Sequence, residues 1–181
     1  MIRLFDILIA IAGLVLLAPF LVFCYLLVRC ELTSPLFFQK RVGRHRVEFT
    51  LVKFRTMLPE TENLATHLVN PEAITRFGRI LRTTKIDELP QLWNVLCGHM
   101  SLVGPRPCLP TQHEVIRERE RLKIFDTRPG ITGLAQLCDI DMSQPKTLAM
   151  ADAKMREDFC IKHYFLFIFW TLSKKKKTLI V

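Results

Sequence analysis

The sequence predicts a mainly α-helical fold with a small β element and an N-terminal segment that enters a membrane. Three observations support this prediction: 22 consecutive uncharged residues in Ile7–Val28, apolar residues at helical spacing in Leu89–Leu96, and one short apolar strand, Phe49–Val52. The 181 residues carry a net charge of +9, half of them are hydrophobic and 24% are charged. The apolar content excludes intrinsic disorder, and the charge content excludes a multi-span transporter. Together they indicate an apolar part and a charged part in a chain of single-domain size.

The N-terminal apolar segment, Ile7–Val28, is long enough to cross a bilayer core, which takes about 20 residues. A cleaved signal peptide does not fit, because a cut after the Ala10–Ala12 motif would leave a longer apolar run on the mature chain. Pro19 removes a helical hydrogen bond within the run. The segment is therefore either a kinked spanning helix or two helices that dip into one leaflet and return, and the pattern alone leaves both open.

Two adjacent acids, Asp87 and Glu88, precede an amphipathic helix with apolar residues at i, i+3, i+4 and i+7. We expect this helix to begin near Ile86–Leu89, since Pro90 is tolerated in a first turn. Such acids are often only a helix cap and a first-turn residue that suit the helix dipole. Alternatively, the aspartate accepts a phosphoryl group covalently, and the glutamate helps to hold Mg²⁺ between the acids and a phosphate.

Basic side chains in three other segments suit phosphate binding. Lys53 and Arg55 alternate along the predicted strand, so they project to the same face. Arg106 lies in a turn bracketed by two prolines, and Arg128 begins a second turn, Arg128–Gly133. The planar guanidinium of arginine fits bidentate contact with phosphate. Each of these residues alone is as readily a solvated surface charge, and only their combination with the acid pair favours phosphate chemistry.

The remaining segments are less specific. Thr111–Phe125 is typical of a helix with a solvated, salt-bridged face, and we assign it no chemistry. Tyr164–Leu172 is aromatic-rich and too short to span a bilayer, which is typical of segments that lie at the membrane interface. The Lys174–Lys177 run is either a patch that binds an anionic leaflet or a solvated tail. The six cysteines form no C-x-x-C pair, which fits a reducing cytosol. The sequence shows no nucleotide-binding loop, nucleic-acid module or zinc-ligand spacing.

At this level of detail the sequence closely resembles the bacterial sugar transferases, the small monotopic polyprenyl-phosphate phosphoglycosyltransferases. The resemblance runs from about Phe5 to Ala135, and several ordered motifs of this length make it highly specific. The motifs are SPLFFQKRVG at Ser34–Gly43, KFRTM at Lys53–Met57, RFGRILR at Arg76–Arg82, DELPQLWNVL at Asp87–Leu96, MSLVGPRP at Met100–Pro107 and RPGITGLAQ at Arg128–Gln136.

The resemblance implies both topology and reaction. Residues 1–30 would form a re-entrant membrane helix broken at Pro19, and residues 31–181 a catalytic domain with interfacial helices on the cytoplasmic face of the bacterial inner membrane. Such enzymes move a phospho-sugar from a nucleoside diphosphate sugar, usually a UDP-sugar, to undecaprenyl phosphate and release UMP. Asp87 then takes the place of the nucleophile, and Glu88 that of its partner, which helps to hold Mg²⁺. Arg106 matches the phosphate-binding arginine, and we expect Lys53, Arg55, Arg82 and Arg128 to assist it.

The chain departs from the family pattern at two places. Ala18 stands where the family commonly has a serine before the membrane-break proline. After Gln136 the match fades, and Asp152–Met155 replaces an Asp-x-x-Tyr pattern, so neither the sugar nor the pathway nor the oligomeric state is predicted. We expect the minimal form of the family, with no large domain before Met1. The alternatives are a non-enzymatic, basic, membrane-anchored adaptor and a membrane-tethered nucleic-acid binder, and we expect no nucleic-acid partner.

Overall fold

The computed structural model describes residues 2–58 and 73–173. In these two ranges the chain is mostly helical with two small sheets, which confirms the predicted mainly α-helical fold with a small β element. The helices are α1 (Ile2–Leu16), α2 (Ala18–Glu31), α3 (Arg76–Thr84), α4 (Gln91–Leu96), α5 (His113–Arg121), α6 (Leu134–Leu137), α7 (Pro145–Glu157) and α8 (Ile161–Leu172); the strands are β1 (Leu36–Val42), β2 (Glu48–Phe54), β3 (Ser101–Val103) and β4 (Gly130–Thr132). The Lys174–Lys177 run lies outside the described residues.

The apolar N-terminal segment is broken, as predicted from Pro19. Helices α1 and α2 meet at Leu17 with a bend of 63°, and Pro19 lies in the first turn of α2. A proline is tolerated there because the first turn of a helix has no partner for its backbone N–H groups. In the described part of the chain, neither helix alone has the length and apolar character to cross a bilayer, whereas the bent pair together meets both criteria.

A buried carboxylate docks α1 onto the rest of the molecule. Asp6 is 2% exposed, and its Oδ1 atom accepts hydrogen bonds from the hydroxyl of Ser101 (3.0 Å), the N–H of Leu102 (2.9 Å) and the hydroxyl of Tyr164 (2.9 Å). These donors lie on β3 and α8, so one residue of α1 ties two distant elements together. The Arg3 side chain donates to two carbonyls at the end of α4 and in the loop that follows it.

Helix α1 also packs closely on α4. A Cβ atom at Gly13 would lie 2.9 Å from Cδ1 of Leu92, so a larger residue would force the Leu92 side chain to move. Ala10 of α1 and Val95 of α4 belong to the same buried cluster and are fully excluded from solvent. Helix α4 is therefore held directly against the apolar N-terminal segment.

The two sheets lie beside α4. Strands β1 and β2 form an antiparallel hairpin, and β3 and β4 pair in parallel with Ser101 opposite Gly130. Asn94 of α4 joins the free edge of β2, because its Oδ1 atom accepts from the N–H of Val52 (3.0 Å) and its Nδ2 atom donates to the carbonyl of Thr50 (2.8 Å). This amide replaces a missing strand neighbour and fixes the end of β2 relative to α4.

Large apolar side chains remain exposed on three helices. They cover the outer faces of α1 and α2 and one face of α8, whereas solvent-exposed faces elsewhere are mainly polar. Contiguous exposed apolar surface of this kind marks a site of contact with another apolar phase or partner. The residues are Leu4, Leu8, Ile11, Val15, Leu16, Phe20, Val22, Phe23, Tyr25, Leu26, Phe165, Phe169 and Leu172.

Candidate active site

The acid pair lies in a tight turn between two helices. Helix α3 ends at Thr84, and residues Ile86–Glu88 form a single 3₁₀ turn before α4 begins at Gln91. The prediction that α4 begins near Ile86–Leu89 is therefore wrong by a few residues. The reason is Pro90, which has no N–H, so the backbone before it closes through i to i+3 bonds such as Leu89 N–H to the carbonyl of Ile86 (3.1 Å).

Asp87 is nearly buried yet not engaged by a hydrogen bond. Asp87 is 7% exposed, and its carboxylate accepts no hydrogen bond from the residues that the structure describes. Burial, and then the neighbouring negative charge of Glu88, raise the pKa of Asp87 from 3.8 to about 6. The positive charges of Lys53, Arg82 and Arg106 oppose this rise. The carboxylate is thus available for reaction and surrounded by cations.

Glu88 faces the turn that carries Arg106. The Nη2 atom of Arg106 donates to Oε1 of Glu88 at 3.2 Å, and the Arg106 side chain stays 43% exposed while that of Glu88 is 15% exposed. This contact joins two motifs that are separated by 18 residues in the sequence. The guanidinium retains free donors for a further anion.

Lys53 and Arg55 share one face of the hairpin, as predicted, because both lie over the ring of Phe37 at 5.2 and 5.4 Å. Burial lowers the pKa of Lys53 to about 8, and the negative charge of Asp87 opposes that fall. Arg55 is directed elsewhere, since its Nε atom donates to the carbonyl of Ser34 (3.0 Å). Lys53 therefore joins the acid pair, whereas Arg55 secures the start of the hairpin.

Arg82 reaches the site from α3. Its Nε atom donates to Oγ1 of Thr56 (3.0 Å), and its charge acts on Asp87. Helix α3 comes this close because it has Gly78 at the contact, where a Cβ atom would collide with the backbone of Thr56. The RFGRILR motif thus combines a close helix contact with a cation at the site.

Arg128 is not brought to the acid pair. Its Nε atom donates to the carbonyl of Gly98 (3.0 Å), and it lines a separate cavity of about 250 Å³ with Arg3, Arg44 and Arg156. The motif that it begins has a structural role, since β4 pairs with β3 and Cβ atoms at Gly104 and Gly130 would each strike the other's backbone. The predicted grouping of Arg128 with the phosphate-binding residues has no geometric support at this site.

A family model described as bacterial sugar transferase matches residues 1–177. The chain belongs to the bacterial sugar transferase family. The match continues well beyond Gln136, where the sequence resemblance fades, so helices α7 and α8 are part of the family domain.

Curated relatives of this sugar transferase agree with the match. It is 43% identical over 136 residues to an uncharacterized sugar transferase, EpsL, of Bacillus subtilis, covering 75% of this chain and 67% of the relative. It is 41% identical over 140 residues to the UDP-glucose:undecaprenyl-phosphate glucose-1-phosphate transferase of Caulobacter vibrioides, covering 75% and 52%. It is 40% identical over 150 residues to the undecaprenyl-phosphate glucose phosphotransferase of Komagataeibacter xylinus, covering 75% and 27%. The last two relatives are thus much longer than the shared region.

Two buried arginines of this sugar transferase were missed by sequence reasoning. Arg41 of β1 is 8% exposed; it donates to Oε1 of Gln39 (2.6 and 3.1 Å) and to the carbonyl of Pro107 (3.0 Å). Burial, and then the charge of Arg106, lower its pKa to about 10. The signal was present, because Gln39 and Arg41 are two positions apart in a strand and therefore project to the same face, opposite Lys40.

The second missed arginine, Arg119, is an exception to the solvated, salt-bridged face predicted for Thr111–Phe125. The side chains of Arg119 on α5 and Asp152 on α7 are 2% and 1% exposed and form an ion pair, with Nη2 and Nε both on Oδ2 (2.7 and 3.0 Å). The reason is that α5 packs against α7, which places this position of α5 inside the molecule. Nothing in the α5 sequence alone distinguishes Arg119 from its exposed neighbours.

The site carries more positive than negative charges. Four cations, Arg41, Lys53, Arg82 and Arg106, surround the two carboxylates of Asp87 and Glu88. A partly buried cluster with excess positive charge attracts an anionic ligand, because fixed donors and low dielectric strengthen the attraction. The acid pair directly precedes the turn into α4, and α4 packs on the apolar helix α1. The cluster can bind a polyanion next to a nucleophilic carboxylate.

Proposed function

We propose that this protein transfers a phospho-sugar from a UDP-sugar to undecaprenyl phosphate, with a covalent phospho-aspartate at Asp87 as the intermediate. The observation that carries the proposal is a nearly buried carboxylate, not hydrogen-bonded within the described residues, inside a cluster of cations. The names of the relatives support the substrates, since a relative of Caulobacter vibrioides is a UDP-glucose:undecaprenyl-phosphate glucose-1-phosphate transferase. Which sugar this chain uses is left open by the proposal.

In the first step, a carboxylate oxygen of Asp87 attacks the phosphorus that bears the sugar. A bond forms between that oxygen and phosphorus, the bond from phosphorus to the bridging oxygen breaks, and UMP leaves with the electron pair. The ionised carboxylate is the nucleophile, and at neutral pH it predominates for a group with a pKa of about 6. Lys53, Arg82 and Arg106 stabilise the negative charge that is shared between the attacking and leaving oxygens.

In the second step, an oxygen of undecaprenyl phosphate attacks the same phosphorus. The bond from phosphorus to Asp87 breaks, the carboxylate is regenerated, and an undecaprenyl diphosphate sugar is released. The same cations serve both steps, because both build negative charge at one place. A soluble donor and a lipid acceptor can use the site in turn, since α4 joins the acid pair to the apolar helix α1.

The acid pair fits Mg²⁺ by its donor chemistry. Mg²⁺ uses one or two carboxylates together with substrate phosphates and water. Within residues 2–58 and 73–173, no cluster of three or more His, Cys, Asp or Glu side chains is placed to hold a metal. Asp87 and Glu88 would hold it, and when bound it supplies neutralisation of the charge between the acids and the diphosphate.

We also propose that α1 and α2 enter one leaflet of the inner membrane and return, with the catalytic domain on the cytoplasmic side. Both ends of the pair contact the same domain: Asp6 of α1 binds β3, and the carboxylate of Glu31 on α2 accepts the N–H of Phe77 on α3 (3.2 and 3.3 Å). A straight spanning helix would instead separate these ends by about 30 Å. The exposed apolar residues of α1, α2 and α8 supply the lipid-facing surface.

The reaction is tested by release of UMP from a panel of UDP-sugars with undecaprenyl phosphate. We expect Asp87→Asn to abolish release and Glu88→Gln nearly to abolish it, while the exposed Asp158→Asn control keeps wild-type activity. Radiolabelled donor without acceptor should leave label on the peptide that contains Asp87. Full turnover by Asp87→Asn contradicts the mechanism, and no release with any UDP-sugar favours a non-enzymatic adaptor.

The topology is tested by labelling with a membrane-impermeant maleimide. Cys30 is an exposed native cysteine at the end of α2, and Ile2→Cys places a second at the start of α1. In a background where the exposed Cys97 and Cys160 are serine, both positions should be labelled only when the cytoplasmic face is accessible. Labelling of position 2 from the periplasmic side would instead indicate a spanning helix.

A further inference from the structure

The turn that presents Arg106 is held by its carbonyl groups. The flanking Pro105 and Pro107 have no N–H, so the turn lacks the backbone donors that usually fix such a segment. Instead, three successive carbonyls each accept a hydrogen bond: Pro105 from Gly130 N–H (2.9 Å), Arg106 from Nη1 of Arg119 (2.8 Å) and Pro107 from Nη1 of Arg41 (3.0 Å). The middle bond holds the residue whose side chain extends to Glu88.

The Arg119 side chain is itself fixed from behind. Two of its nitrogens bind one oxygen of Asp152, and the third binds the Arg106 carbonyl, so its planar guanidinium bridges α7 and the turn. A guanidinium in this geometry has one orientation, because its donors have a fixed fork. The position of the Arg106 backbone is thereby set by two helices from the C-terminal half of the chain.

The Arg119–Asp152 ion pair is not expected to add much to the stability of the fold. Buried ion pairs can often be replaced by apolar side chains of similar volume without loss of stability, because the pair must first lose its hydration. In the described structure the second oxygen of Asp152, Oδ1, is buried and has no hydrogen-bond partner, which adds to that cost. The Arg119–Asp152 pair is therefore better explained by its orientation of the Arg106 turn than by a contribution to stability.

We infer that Arg119 and Asp152 form a positioning pair that sets the direction of the Arg106 guanidinium toward the diphosphate of the donor. The inference rests on the proposed function and adds α5 and α7 to the residues that govern donor binding. A shift of about 1 Å in a substrate-positioning group can lower rates about 100-fold. Loss of the pair should therefore act on donor use even when the protein remains folded.

The test uses the full-length double variant Arg119→Met/Asp152→Leu, which removes both charges together and leaves neither buried alone. The exposed Arg117→Met on the same helix is the matched control, and Arg106→Ala completes a double-mutant cycle. The readouts are melting temperature, kcat and KM for the donor, and affinity for inorganic pyrophosphate by calorimetry. We expect a near-wild-type melting temperature, kcat/KM lowered about 10- to 100-fold and weaker pyrophosphate binding.

The cycle separates positioning from general structural damage. In the Arg106→Ala background, loss of the pair should cause little further loss of kcat/KM, since both changes act through one guanidinium. A folded double variant with wild-type kcat/KM and pyrophosphate affinity, or fully additive losses in the cycle, would overturn the inference. If the double variant does not fold, Arg119→Lys decides: its ammonium keeps the charge but cannot bind Asp152 and the carbonyl in the same fork, so wild-type kinetics in Arg119→Lys would also overturn it.

Failure of the proposed function is distinguishable from failure of this inference. A wild-type chain that releases no UMP, yet binds pyrophosphate in a manner that depends on Arg106, would contradict the transferase mechanism only. In that case the pyrophosphate affinities of the variants still test the positioning pair.

Discussion

Replacing Asp87 by asparagine should stabilise the protein at neutral pH while it removes activity. Folding raises the pKa of Asp87 from 3.8 to about 6, chiefly because the carboxyl is buried. A difference of about two pKa units corresponds to about 3 kcal/mol at pH values above both, and this value already includes the attraction of the surrounding cations. Asparagine resembles the protonated acid in shape and avoids that penalty. The site therefore retains an ionised group at a cost in stability.

The difference in stability between wild type and Asp87→Asn should depend on pH. Because folded Asp87 binds a proton that the unfolded state has lost, its contribution to wild-type stability falls as the pH rises from about 4 to about 6 and is level above that range. Below about pH 4 the carboxyl is protonated in both states, so wild type and Asp87→Asn should have the same stability. The difference in stability between the two proteins should therefore develop only between about pH 4 and about pH 6.

The assay is thermal unfolding of purified full-length protein in detergent with EDTA, from pH 3.5 to 8. For a chain of this size, about 3 kcal/mol corresponds to a rise in melting temperature of about 6–12 °C. Glu48→Gln, an exposed acid on β2, is the control and should change the melting temperature little at any pH. An Asp87→Asn variant that is less stable than wild type at pH 7.5, or a gain that does not vary with pH, would refute the reasoning.

Three further predictions follow from the same contacts. Mg²⁺ should stabilise the wild type by about 2.7 kcal/mol at a hundred times its Kd, seen as a rise in melting temperature, and should do so much less in Asp87→Asn and Glu88→Gln. The pH profile of donor kcat/KM should rise through about pH 6 and fall above about pH 8, as Asp87 ionises and Lys53 loses its proton, and Lys53→Arg should remove the upper limb. Asp6→Ala should lower the melting temperature strongly, since each of three buried donors left without an acceptor costs about 1–3 kcal/mol, whereas Asp6→Asn, which keeps an acceptor oxygen, should lower it less.

Local patterns in the sequence were enough for the break between α1 and α2 and for the helical character of the segments that became α4 and α5, but not for α3, α6 or α7. Pro19 interrupts the apolar run because of its own missing N–H, and that property does not depend on tertiary structure. The same reasoning misplaced the start of α4, since it allowed Pro90 in a first turn but not a separate 3₁₀ turn before it. The order of the acids relative to α4 was nevertheless correct, because Asp87 and Glu88 immediately precede that helix.

The composition of the site was only partly predictable. Lys53 and Arg82 do act on Asp87, and Arg106 contacts Glu88, but motif reasoning could not separate them from Arg128, which has the same residue type in a similar turn. The distinction comes from the pairing of β3 with β4, a contact between segments about 30 residues apart. Arg119 was unpredictable for a related reason, since its burial depends on α7, which lies still further along the chain.

The acid pair and the apolar segment are linked through a short chain of contacts. Asp6 fixes α1 to β3, Gly13 lets α1 approach α4, and Asn94 of α4 holds the strand that carries Lys53. If Asp87 meets a soluble donor and a lipid acceptor, as proposed, it needs a constant depth relative to the lipid surface, and a flexible tether would not provide it. Under the proposed function, rigid docking of α1 on α4 would provide that constant depth, which gives a reason for placing the fully buried carboxylate of Asp6 on the first turns of a mainly apolar helix. Under this argument, loosening the Asp6 contact should impair use of the lipid acceptor more than hydrolysis or binding of the soluble donor.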